Sequence, residues 1–177
     1  MTARGVRQLS GFALLIWAAL AFPGAQASGA AVIAFTGLGS GLSAGALASC
    51  PAGLCPGSDS CSCIPISGTG KASNIGTVNF ATTVVLDGSQ PIGNCDEGLG
   101  TLTLTSKAKS TNALVLDYVG TVCLASGTGF LLNATYFVDT SKSTGKYANA
   151  TGSGNVAGSE DATSGAILGN INGTLVP

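Results

Sequence analysis

The chain has 177 residues, 7 basic and 8 acidic side chains, and no histidine. Arg4, Arg7, Trp17 and Met1 all lie in the first 27 residues, so the remainder has five lysines against eight acids and no Arg, Trp or Met. That excludes His-dependent nucleophilic catalysis and imidazole metal sites, guanidinium clamps for phosphate or carboxylate, tryptophan stacking platforms, and a basic surface for nucleic acid or anionic membranes.

The first element is an export signal. Arg4 and Arg7 form a short positive region, Gly11 to Phe22 is an uncharged apolar run, and Ala25-Gln26-Ala27 supplies a small-x-small cleavage pattern after Pro23-Gly24. Residues 1–27 therefore read as a signal peptide cut after Ala27. Residues 28–177 read as a single secreted domain, free, periplasmic or on the cell surface. The apolar run falls short of the ~20 residues a spanning helix needs, so no membrane span is expected. Leu47-Ala48-Ser49-Cys50 matches a lipoprotein lipobox, but it lies too far beyond the apolar run for a signal peptidase to read it.

Residues 30–36 (AAVIAFT) predict a first strand. Residues 37–73 are rich in Gly, Ser, Pro and Cys and predict an irregular, disulfide-rich segment. From Asn74 the texture changes. Asn74 to Leu86 alternates Val78, Phe80, Thr82, Val84 and Leu86 against Thr77, Asn79, Ala81, Thr83 and Val85, and Asp87-Gly88 signals a turn. Leu99 to Ser106 alternates cleanly, and Ala113 to Val122 is apolar on both faces. Phe130 to Asp139, Ser153 to Gly158 and Ala166 to Val176 follow as strands. No stretch carries a 3.6-residue apolar period. Short strands between turn signals indicate an all-β barrel or sandwich. Strands apolar on both faces fit a closed barrel whose outer surface is partly covered.

All six cysteines follow the signal: Cys50, Cys55, Cys61, Cys63, Cys95 and Cys123. An even number in an exported chain reads as disulfides. Cys95 and Cys123 each stand alone beside a strand and are expected to pair. Two bridges are expected within the Cys50–Cys63 cluster, their pairing open. The cluster spacing, Cys-x4-Cys-x5-Cys-x-Cys, is not that of a zinc ribbon. No metal or cofactor is expected, and a thiolate metal site remains the alternative use of the cluster.

Asn94-Cys95 followed by GLGTLTLTS, LDYVGTVC ending at Cys123, Tyr136, and the run Thr144-Gly145-Lys146-Tyr147-Ala148-Asn149-Ala150-Thr151-Gly152-Ser153-Gly154 form an ordered pattern. Over residues 74–177 it resembles exported bacterial proteins of unknown role. Its C-terminal run is similar to the TGK-aromatic segment of the allene oxide cyclase and dirigent barrels. The resemblance implies a small antiparallel β-barrel of eight strands. In that family apolar small molecules are handled inside the barrel by a few polar lumen groups. Dirigent barrels pair a lumen Asp with Arg, and no Arg follows residue 27 here. Fold alone does not carry an activity across.

Most acids (Asp87, Asp96, Glu97, Glu160, Asp161) read as turn residues and solvated charge. Two differ: Asp139 ends a strand, and Asp117 lies mid-strand between Val115 and Val119, where burial would raise a carboxyl toward acid–base use. Tyr118, Asn133 and Tyr136 are its polar neighbours, and the four together are the ligand-binding candidates. The residues favour a non-enzymatic barrel that binds a small apolar molecule or acts as a surface interaction module. Two alternatives stand beside it. One is a cyclase- or dirigent-like isomerase with Asp117 as its acid–base group, and the other is the Cys-cluster metal binder.

Overall fold

The computed structural model describes residues 31–45, 50–51, 53–55, 61–125 and 129–177. The expected export segment and most of the lipobox match lie outside the described residues. Eight strands follow one another in chain order: β1 (Ile33–Ser43), β2 (Cys61–Ala72), β3 (Gly76–Ile92), β4 (Cys95–Ser106), β5 (Ala113–Ala125), β6 (Gly129–Val138), β7 (Thr151–Asp161) and β8 (Ala166–Val176). Each pairs antiparallel with the next, and β8 closes on β1, giving a closed barrel. Closure leaves no edge strand with unpaired backbone groups.

Inward positions alternate along every strand, as the pleat requires. Across neighbouring strands they form rows that mix very large and very small residues. In one such row Phe35 pairs with Gly173, Gly173 with Gly154, Gly154 with Tyr136, Tyr136 with Tyr118, and Tyr118 with Gly100. A side chain on Gly154 would meet Tyr136 Cε1 at 2.9 Å, and one on Gly100 would meet the Tyr118 ring carbon Cζ at 2.8 Å. The glycines are the space the aromatic rings occupy. The fully buried Phe35, Leu114, Leu116, Tyr136, Tyr147 and Leu175 fill one end of the barrel.

That end is closed by the connection from β6 to β7, which carries the TGKY run on a single 3-10 turn (Gly145–Tyr147). Tyr147 is buried, and its hydroxyl donates to the Asn74 carbonyl at 2.8 Å. Lys146 Nζ donates to the same carbonyl at 2.6 Å and lies 4.8 Å from the Tyr147 ring centre. Asn74 adopts a positive φ of 63°, which turns its carbonyl out of the β2–β3 connection. Asn tolerates that conformation better than most residues. Thr144 pairs with Ala113 in both directions, and Ser143 Oγ accepts from Val115 N at 3.0 Å. Asp139 opens the segment. Its carboxylate accepts from Ser141 N and Oγ and pairs with Lys142 Nζ at 2.7 Å. The Lys142 ammonium first, then the Ser141 hydroxyl, holds the Asp139 carboxyl well below the usual range.

Strand β2 and the second half of β1 lie within 37–73, the segment expected to be irregular. Pro65 and five glycines disguised them. Pro65 O accepts from Ala44 N on the β1 side, so the proline nitrogen also points there, away from the β3 ladder. Gly68 faces inward because Phe80 Cζ lies 2.7 Å from where its side chain would begin.

Cys95 and Cys123 are bridged and are direct cross-strand partners in β4 and β5, as expected. Of the two bridges expected in the cluster, Cys50–Cys63 is formed. It ties the β1–β2 connection to the outer face of β2. With its thiol in that bridge, Cys50 has none to carry a lipid, and the four-thiolate metal site is broken up. Cys55 and Cys61 are thiols in contact. The Cys61 hydrogen bond, with some burial, pushes the Cys55 thiol up to about 11. Asp87 departs from its expected role at a solvated turn. It is buried within β3, which continues past an irregularity in register to Ile92.

Candidate binding cavity

Toward the middle of the barrel the aromatic filling stops. Gly158 of β7 pairs with Gly169 of β8, Gly169 with Gly39 of β1, and Gly39 with Gly70 of β2. Four inward positions in one row across four strands therefore carry no side chain. Beside this row is a cavity of about 120 Å³. It runs along the lumen from Ala72 and Val78 to Phe130, Glu160 and Ile167. Opposite the glycines its wall is Phe80, Val84, Leu102, Leu104, Val122 and Leu132.

The glycines are not all there for the same reason. At Gly39 an added carbon would stand 2.9 Å from Phe80 Cε1, so a neighbour already fills that space. At Gly158 and Gly169 an added carbon would meet only one backbone oxygen, at 3.5 and 3.6 Å, which are ordinary contact distances. Those two positions could hold a larger residue and do not. Apolar voids of similar size stay dry and take up single-ring hydrocarbons.

Two hydroxyls interrupt the apolar wall. Thr82 Oγ1 and Tyr118 OH lie 2.9 Å apart on β3 and β5, both lining the cavity. Burial pushes the Tyr118 phenol up to about 12, partly offset by its bond with Thr82, so it stays protonated at any physiological pH. Glu160 lines one end of the cavity from the last turn of β7, where the sequence suggested only solvated charge.

The four candidates from sequence divide by strand parity. Tyr118 and Tyr136 face inward. Only Tyr118 lines the cavity. Tyr136 fills the packed end, where burial raises its phenol and its hydroxyl has no hydrogen-bond partner among the described residues. Asp117 and Asn133 face outward. The Asp117 side chain is 47% exposed, accepts from Thr101 Oγ1 at 2.7 Å and lies 3.5 Å from Lys142 Nζ. It cannot act on a molecule in the lumen, which removes the acid–base role considered for it. Thr82 was missed, although a lone hydroxyl on the face formed by Val78, Phe80, Val84 and Leu86 was its signal in the sequence.

Among the described residues no cluster of three or more Cys, Asp or Glu could hold a metal ion, and no helix is long and apolar enough to cross a membrane. On the outer surface, Leu38 and Leu42 of β1 flank Leu168 of β8, all three more than half exposed. No protein-family model, curated protein or solved structure matches the chain.

Proposed function

We propose that this protein is an exported, non-enzymatic β-barrel that holds one small apolar molecule in its lumen. The observation that carries this reading is the cavity beside Gly158 and Gly169, two positions where the backbone has room for a side chain and the sequence supplies none. A lumen built only for stability would be filled, since interiors otherwise reach near-crystalline packing. The volume suits a molecule about the size of one ring, well below the ~300 Å³ of common drug-sized sites.

The export signal at residues 1–27 and the Cys50–Cys63 and Cys95–Cys123 bridges support a location outside the cytoplasm. Kinship with the allene oxide cyclase and dirigent barrels stays part of this reading for architecture and for lumen binding, not for catalysis. The test is a native mass spectrum of the protein taken as secreted from its own producer. The account expects a polypeptide starting at Ser28 with an additional small-molecule mass that leaves on denaturation. A chain that carries no added mass and also takes up no toluene when soaked would overturn it.

A further inference from the structure

We infer that the molecule held in the lumen carries one hydrogen-bond acceptor oxygen, as a ketone, ester or ether does, and that the Thr82–Tyr118 hydroxyl pair recognises it. The inference rests on the lumen-binding reading above and sharpens it to a ligand class. Two hydroxyls bring two hydrogens, and the bond between them uses one. Whichever oxygen donates, one O–H remains. Neither hydroxyl has another hydrogen-bond partner among the described residues. The surrounding wall (Val84, Leu102, Leu104 and Val122) offers no acceptor.

An uncommitted donor in apolar surroundings is the costly kind of unsatisfied group, whereas a half-used acceptor oxygen is common. The natural complement is therefore an acceptor with no donor of its own. A carboxylate fits poorly. It would have to shed its hydration for a single O–H.

The pair also makes an unusual prediction about variants. Removing one hydroxyl frees the other, so Tyr118→Phe and Thr82→Val should each keep one O–H for the ligand. Only the double substitution removes both.

The experiment compares cyclohexanone with methylenecyclohexane, which differ by C=O against C=CH2 on the same ring, on the full secreted protein by ligand-observed NMR. Wild type is expected to bind the ketone roughly three- to tenfold more tightly, and the bound ketone's carbonyl stretch should move to lower frequency. Both single variants should keep the preference. The double variant should bind both probes equally, with its circular dichroism and thermal unfolding checking that the barrel is intact. Equal binding of the two probes by wild type, with an unshifted carbonyl stretch, overturns the acceptor assignment and leaves the lumen reading standing. A preference that persists in the folded double variant also overturns it. Failure of wild type to bind either probe overturns both.

Discussion

The two halves of the lumen are built from the same strands on opposite plans. At the end closed by the TGKY run, large side chains such as Phe35, Leu114, Tyr136 and Leu175 have no exposure at all, and Tyr147 is inserted from the β6–β7 connection to complete the packing. Beside the glycine row the same barrel leaves about 120 Å³ empty. The contrast teaches that the void does not come from a shortage of large residues or from a fold that cannot pack. Where glycines serve packing, as at Gly100 and Gly154, an aromatic group lies within 3 Å of the missing side chain. Gly158 and Gly169 have no such neighbour.

The closed end should be the more expensive to disturb. Tyr147→Ala would remove a buried ring and its hydrogen bond to Asn74 together, and should cost about 3–5 kcal/mol. In a domain of ordinary stability, 5–15 kcal/mol, that is enough to put partly unfolded protein into solution. Urea unfolding checks this, and a loss below about 1 kcal/mol would mean that Tyr147 does not close the barrel. The opposite end is held covalently. Replacing both Cys95 and Cys123 by Ala should cost about 3–4 kcal/mol, since the bridge spans a sequence separation of 28. The same unfolding measurement reads it.

A smaller effect shows in the pH dependence, because burial raises both inward phenols, Tyr118 and Tyr136. Burial raises Tyr118 to about 12, above the ordinary ~10 of a free tyrosine. A phenol raised on folding contributes stability that is fully present below about pH 10 and is lost as pH climbs toward 12. The chain has three tyrosines. Tyrosinate absorption during an alkaline titration should therefore lag for Tyr118 and Tyr136 and, for Tyr118, coincide with unfolding. Ionisation of Tyr118 near pH ~10 in folded protein would show that it is not enclosed.

Much of the barrel was legible as alternation. Strands β3 to β6 stand out because their patterns run eight residues or more without Pro, and Cys95–Cys123 follows from two lone cysteines beside neighbouring strands. Strand β2 was hidden for a physical reason. Pro65, Gly68 and Gly70 are loop formers in isolation, and only the placement of Phe80 and the cavity turns them into strand residues. Parity misled the assignment of Asp117. Strand β5 is apolar on both faces because Ser143 and its neighbours cover the outside at Val115, so flanking valines did not reveal which way Asp117 pointed. Adjacency would have settled half of it, since Asp117 and Tyr118 cannot both face the lumen. The void itself was not legible. A glycine that yields to an aromatic ring and one that leaves space look the same in a sequence.

If Gly158 and Gly169 keep a binding space open, Gly169→Leu should close it. Thermal unfolding of wild type and variant would be followed with and without toluene. The variant should be more stable than wild type by about 1–2 kcal/mol, because it fills the space and replaces a strand glycine. Toluene should raise the wild-type midpoint and leave the variant's unchanged. A variant that is destabilised, or one that responds to toluene as wild type does, would mean that these glycines keep no such space open.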